Sequence, residues 1–207
     1  KNPMEWRANV TQLANPDGSP VDCTDAEQLS RAEVEGRRQI AGFFEFLRES
    51  APGFERAYIL EIAPQVGVRE TRRIVGDYQL TEDDVLRCAS FEDSIGVNGW
   101  MVEAHVAGDI VFKWQDIRRV RGFNHLPYRM ILPQRVDNLR VAGRCASMTH
   151  MGQSAARVSG ACFVMGEAAG TAAALSIAQG TIPRQLDAAP LQRQLERQGA
   201  YLGLDRD

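Results

Sequence analysis

Three arginines, Arg69, Arg72 and Arg73, crowd around one acid, Glu70, in the stretch Gly67-Val-Arg-Glu-Thr-Arg-Arg. A guanidinium so placed can bind a carboxylate or stabilise developing negative charge. Read as a strand, the stretch puts Arg69 and Arg73 on one face, Glu70 and Arg72 on the other; the competing reading is a solvated, salt-bridged strand. The second stretch with chemical potential runs from Asn138 to Gly180. A short apolar strand over residues 139–142 stops at Gly143, a loop of small and polar residues follows to about Gln153, and a run rich in Ala and Gly reads as one helix over about 156–179. Strand, glycine turn and small-residue helix suggest a nucleotide or cofactor site, because backbone can approach a ligand where side chains are absent and a helix N-terminus favours electron-rich groups. Tight packing of that helix on a sheet is the alternative. Asp93, Asp109, His105 and His125 are the other ionisable groups of note, and each reads as readily as a satisfied polar group or a surface residue.

The chain as a whole sets the bounds. Its 207 residues suit one large domain or two small ones, and 44% hydrophobic with 25% charged residues is an ordinary globular balance. The net charge of −3 argues against a general nucleic-acid surface. The four cysteines form no C-x-x-C pair and the three histidines no metal motif, so reduced thiols in a cytoplasmic protein are the expectation. No signal peptide opens the sequence, and it starts at Lys1 without an initiator Met, as a piece of something longer would. Gly166-x-x-x-Gly170 lies in a nearly uncharged run over residues 158–178, but Glu167 in its middle would cost about 3 kcal/mol in a bilayer, which argues against a membrane span.

The elements that must position these groups read as a mixed α/β set. A strand is expected over residues 6–13, ended by the turn Asn15-Pro16-Asp17-Gly18. Thr24-x-x-Glu27 reads as a capping box for a helix to about Glu49, with Ile40, Phe43, Phe44 and Leu47 as its apolar stripe and Pro52-Gly53 as its stop. Strands are expected over 58–62 and 72–80, then a short helix capped by Thr81. Residues 90–126 read as irregular strands with turns at Val97-Asn98-Gly99 and Gly108-Asp109, followed by a short strand at 130–132 closed by Pro133. A last helix, capped by Asp187, carries Leu191 and Leu195 and ends at Gly199.

Several motifs, in order, resemble a known family. They are Gly67-Val-Arg-Glu-Thr-Arg-Arg-Ile-Val-Gly-Asp-Tyr-x-Leu-Thr, Leu126-Pro-Tyr-Arg, Val136-Asp-Asn-Leu-x-Val-Ala-Gly-Arg, Ser147-x-Thr-His, Arg157-Val and Met165-Gly-x-Ala-Ala-Gly-Thr-Ala-Ala-Ala. With Leu191-Gln-x-x-Leu-x-x-Gln-Gly they resemble the FAD-dependent oxidoreductase family within the glutathione-reductase-like flavoproteins, over nearly the whole chain but only as the C-terminal half of such a protein. The family's N-terminal Gly-x-Gly-x-x-Gly, which seats the ADP pyrophosphate, occurs nowhere in these 207 residues.

The resemblance implies a fold and a site. Residues 136–207 would be the C-terminal portion of a Rossmann-like FAD-binding domain, and residues 1–135 a mixed sheet-and-helix, cap-like substrate-binding region. Gly143 and Arg144 would lie beside the pyrophosphate or ribityl chain of FAD. Arg157, Val158 and Ser159 would open a helix whose N–H groups face the pyrimidine end of the flavin. His150 as acid or base and Arg69 as anchor would face a small organic substrate, with Arg129 the weaker candidate for that pocket and hydride transfer to flavin N5 as the reaction. An N-terminal FAD-binding segment or partner chain would supply the ADP half, and an oligomer is one way to supply it. The rival readings are a non-catalytic structural subunit, and hydrolase or lyase chemistry on His150 with Ser147 or Ser154, which lacks a Gly-x-Ser-x-Gly elbow.

Overall fold

The computed structural model describes residues 4–106 and 109–204, with the side chains of His105, Val106 and Asp109 outside the description. The proposed Gly108-Asp109 turn therefore lies outside the described residues. The chain divides into two compact units, residues 1–71 and 72–207. The expected functional boundary at 135/136 falls inside the second unit.

The first unit is built on α1 (Ala26–Ser50). Its cap differs from the expected capping box: Asp25, not Thr24, accepts from the N–H groups of Glu27 and Gln28, while the Thr24 hydroxyl turns back to Asp22. The carboxylate reaches two orphan donors of the first turn, where a hydroxyl serves one. The turn at Asn15 forms, with Gly18 at φ +82° and its N–H on the Asn15 carbonyl at 2.8 Å. Neither the strand expected over 6–13 nor that over 58–62 forms. The first is instead tied to α1, where the Gln39 amide exchanges hydrogen bonds of 3.0 and 2.9 Å with the backbone of Gln12; past the second, Glu33 of α1 accepts from Val66 N–H at 2.6 Å. Gly36 lies between them, its missing Cβ 3.7 Å from Val66 and 3.8 Å from Leu13. Side-chain amide and carboxylate partners replace the ladder a strand would need.

The second unit contains the main core. Its helices are α2 (Glu82–Leu86), α3 (His150–Ala156), α4 (Ser159–Gln179) and α5 (Ala188–Arg197). Among the described residues its strands form two small antiparallel sheets: β1 (Ser94–Asn98) pairs with β4 (Asn124–Pro127), and β2 (Val102–Val106) with β3 (Asp109–Lys113). The fold is thus mixed helix with small antiparallel sheets. Thr81 and Asp84 make the capping box of α2, and Asp187 caps α5, whose Leu191 and Leu195 are buried as their spacing requires.

Three expected strands are absent. Residues 72–80 run extended but bond at scattered points: Ile74 N–H to the Cys145 carbonyl (2.9 Å), Asp77 N–H to Leu132 (3.1 Å) and Leu80 N–H to Ser147 (3.1 Å). Residues 128–131 close into a 3₁₀ turn, and residues 139–142 make single bonds such as Val141 N–H to Ile131 (2.9 Å). Each stretch has a strand's composition and no continuous partner among the described residues, so no ladder propagates.

The small-residue run forms one helix, α4, starting at Ser159, three residues later than expected; the end of the stretch expected as loop to about Gln153 instead closes into α3, and the chain breaks between the two at Arg157–Val158. The Arg157 carbonyl is taken by the Cys162 thiol at 3.3 Å and by Arg144 Nε at 3.4 Å, and Val158 turns extended (φ −65°, ψ +154°). By length and composition α4 could cross a membrane. Here its row Ala161, Met165, Ala168, Ala172 and Ser176 is buried with Leu126, Tyr128, Leu191 and Leu195. Gly96 is required on β1, because a Cβ there would sit 2.3 Å from Val164 of α4. Arg140 ties α4 down, donating to Tyr128 Oη (2.7 Å), the Ala172 carbonyl (3.0 Å) and the Ser176 hydroxyl.

Candidate functional site

Local sequence explains how the segment from Gly143 to Cys162 is shaped. Gly143 sits at φ +81°, a left-handed conformation that a side chain would strain, and opens a 3₁₀ turn to Cys145 closed by Ala146 N–H on the Gly143 carbonyl at 3.0 Å. Ala146, Ser147 and Met148 are buried beside residues 74–80. Thr149 then caps α3 through Gly152 N–H (3.0 Å). Gly152 is where α3 meets the chain, since a Cβ would come within 2.3 Å of the Leu80 carbonyl oxygen. His150 is therefore the first residue of a helix whose start is fixed from two sides.

His150 is exposed, yet its imidazole is held below its ordinary pKa, first by loss of hydration and then by the positive charges of Arg73 and Arg157. Arg157 ends α3 with a side chain only 11% exposed, donating to the Glu103 carbonyl at 3.1 Å and standing 4.0 Å from its carboxylate. Burial also lowers the Arg73 pKa, and its Nη1 atom is inaccessible to solvent. Arg69 belongs to the first unit; within the second unit the charges that act on His150 are those of Arg73 and Arg157.

Arg144 is exposed on the 3₁₀ turn and reaches the Arg157 carbonyl, so the turn after Gly143 is joined to the break before α4. Val158 precedes α4 with no side-chain cap, and Ser159 is its exposed first residue. The first-turn N–H groups at Ser159, Gly160 and Ala161 thus have no intrahelical acceptor, at the start of a 21-residue helix. One group here escaped the sequence reading. Cys162, beside Gly143, has its thiol pushed up by burial and by Cys145, against the opposing charge of Arg144. Arg73 carried a signal, the arginine-rich stretch, but spacing alone did not separate it from Arg69.

Other candidates take structural roles. His125 is buried: Nδ1 accepts from Phe91 N–H at 3.0 Å, which leaves Nε2–H to donate to the Gly203 carbonyl at 2.9 Å. Asp93 holds Arg129 through Nε (3.0 Å) and Nη2 (3.3 Å), and that guanidinium lies 5.3 Å over the Tyr78 ring, so Arg129 is an ion-pair partner. The Ser154 hydroxyl donates to the Met151 carbonyl at 2.7 Å, within its own helix.

This arrangement fits one end of a flavin. A left-handed glycine leaves room for close backbone approach, and the uncapped start of α4 offers N–H donors to an electron-rich ring edge. The pyrophosphate cradle has no counterpart in the sequence. Comparison with known proteins agrees with the chemistry: the family model described as FAD dependent oxidoreductase matches residues 2–195. No curated protein and no solved structure matches the chain.

Proposed function

Because the chain belongs to the FAD dependent oxidoreductase family, we propose that it carries the flavin-facing half of a glutathione-reductase-like oxidoreductase, with residues 136–207 on the cofactor side and residues 1–135 on the substrate side. The observation that carries this reading is the left-handed Gly143 turn joined, through Arg144 and Cys162, to the uncapped start of α4. Gly143 and Arg144 would hold the ribityl and phosphate side, and the residues at Arg157, Val158 and Ser159 the pyrimidine side. Bound FAD would supply the acceptor for a hydride from a small organic substrate. His150, its pKa lowered first by loss of hydration and then by Arg73 and Arg157, would take the proton that such a substrate releases. Arg69 would orient the substrate, and the ADP-binding half would come from an N-terminal segment or a partner chain. The exposed face of α4, with Gly166 and Gly170 open to close packing, suits a soluble assembly of that kind.

In the flavin-containing protein, His150→Ala and Arg69→Ala should each retain flavin and slow its anaerobic bleaching by substrate, about 10²–10⁴-fold for the proton-transfer group. Gly143→Val should lose the flavin itself, because the left-handed backbone rejects a β-branched residue. Stopped-flow absorbance with flavin content for each variant decides the matter. Bleaching at the unmodified rate in both His150→Ala and Arg69→Ala would remove them from the active site. Residues 1–207 alone should bind FAD weakly, and micromolar affinity by calorimetry without another polypeptide would contradict the need for a second half.

A further inference from the structure

The two sheets of the second unit treat their edges differently. β4 is buried along its whole length, and its register with β1 slips between Ser94 and Val97. β2 turns Val102 and Ala104 into the core. β3 is the exposed strand. Its five residues, Asp109-Ile-Val-Phe-Lys113, pair with β2 in unbroken register, and among the described residues no strand lies on its other side. Ile110 and Phe112, two apart and so on one face, are 45% and 50% exposed, and the exposed apolar run continues to Trp114. Natural edge strands are blunted by proline, by a bulge or by charge along the strand. β3 has no proline and no bulge, its centre is Ile-Val-Phe, and its charges stand only at its two ends.

We propose that β3 is a self-association edge, pairing antiparallel with β3 of a second copy of this chain about a two-fold axis at Val111. The strand selects a second copy over another occupant because it is complementary to its own reverse. Centred on Val111, the pairing sets Ile110 against Phe112 twice, Val111 against itself, and residue Asp109 twice against Lys113, of opposite charge. All five strand residues are used, and the apolar face of each copy continues into the other. A slip of one residue would set Ile110 against Val111 and mismatch the faces. Lys113 also reaches Glu82 at 2.6 Å, and an ammonium group has three donors, enough for a second carboxylate. The seam lies one strand from the candidate site, since Phe112 is opposite Glu103, whose carbonyl receives Arg157. Nothing in this pairing depends on a bound flavin.

Sedimentation velocity on the whole chain over a concentration series should show the mass rising from one chain to two. Phe112→Lys and Ile110→Glu each spoil both symmetric Ile110/Phe112 pairs, so each should weaken self-association about 10-fold. Mixed together, the two variants should associate again, because the new charges then face each other across the seam while the second pair stays Ile against Phe. Both positions are exposed, so circular dichroism should show the unmodified fold in each variant. Val111→Cys gives a second reading in an otherwise unaltered strand. Lying on the axis, it should form an intermolecular disulfide with its own copy under mild oxidation, beyond any seen in the unmodified chain. Ile177→Gln, which changes an exposed apolar residue of α4, should leave the association unmoved. The assignment is overturned if the unmodified chain keeps the mass of one chain throughout, which would leave the edge to a different partner. It is overturned equally if folded Phe112→Lys and Ile110→Glu associate as the unmodified chain does, if their mixture gains nothing over either alone, or if Ile177→Gln is the change that abolishes the dimer.

Discussion

Residues 1–71 and residues 72–207 meet the demand for burial in opposite ways. In the first unit a single 25-residue helix organises the chain, and among its described residues only Ala32 and Gly36 are buried. Trp6, Tyr58 and Leu60 are at least two-thirds exposed. The second unit buries side chains from every one of its helices and from β1, β2 and β4 in one cluster around α4. Structure in the first unit is set by caps and side-chain-to-backbone bonds along one helix, whereas in the second it is set by what α4 presses against. Close packing of this kind tolerates volume changes poorly, and exposed helix does not feel them.

The sharpest way to break that contrast is Gly152→Ala. In an ordinary helix the change is favourable, but here the new Cβ would lie 2.3 Å from the Leu80 carbonyl oxygen and 2.9 Å from its carbon. The neighbour is backbone, and that carbonyl already accepts from Thr149 N–H at 2.9 Å, so α3 must move away from residues 74–80. A loss of about 3 kcal/mol or more is expected from overpacking against an immovable group. Urea denaturation measures it, and a midpoint equal to that of the unmodified chain would show that α3 is not clamped there.

Arg140→Ala comes next in size. Its guanidinium bonds Tyr128, the Ala172 carbonyl and Ser176, and Tyr128 in turn donates to the Pro183 carbonyl at 3.0 Å. Losing a charged donor that serves three acceptors should cost about 2 kcal/mol, against about 1 kcal/mol for Tyr128→Phe. Equal losses would mean that Arg140 contributes only through Tyr128.

These two sites also show what the sequence could convey. Thr81, Asp187 and the Leu191/Leu195 pair announced α2 and α5, because caps and 3.6-residue periodicity are local. The strands expected at 6–13, 58–62, 72–80, 130–132 and 139–142 did not form, because a strand exists only through a partner, which lies elsewhere in the chain. In the candidate site, Gly143 was legible as a turn glycine, and the residues at Arg157–Ser159 as the start of a helix. The proximity of Cys162 to Gly143 was not, nor was the action of the Arg73 charge on His150, since no spacing rule links residues so far apart. The break between α3 and α4 depends on contacts to the Arg157 carbonyl from Cys162 and Arg144, again a tertiary cause.

A smaller effect should appear in the pH dependence of stability. The folded protein holds His150 below its ordinary value of 6.5, by loss of hydration and by Arg73 and Arg157. The unfolded chain therefore takes up this proton at a higher pH than the folded one. Stability contributed by neutral His150 is gained as pH rises through the interval between the depressed and ordinary values, and lost on acidification through the same interval. His150→Gln should flatten that part of the profile. Tyr78 gives the opposite sign at the alkaline end: its hydroxyl, desolvated and bonded to Asp84, titrates at about 12 instead of 10. Its contribution is complete below pH 10 and is lost as pH rises towards 12, and Tyr78→Phe should remove that alkaline decline. An unchanged profile in either variant would assign the slope to other groups.

The smallest expected change lies in the first unit and reverses the sign of the largest. Gly42 sits in the interior of α1, exposed, with no atom within 4 Å of the position its Cβ would take and without a positive φ. Nothing in the folded chain requires glycine there, and the residue costs helix stability because the unfolded chain loses so much freedom at that point. Gly42→Ala should therefore stabilise by about 0.5–1 kcal/mol. The same substitution, glycine to alanine within a helix, would thus destabilise strongly at Gly152 and stabilise weakly at Gly42. Far-ultraviolet circular dichroism should show increased or unchanged helix content for Gly42→Ala, with the urea midpoint moved upward. A fall in midpoint would mean that the face of α1 at Gly42 is covered in solution, and that the first unit is packed more like the second than its exposure indicates.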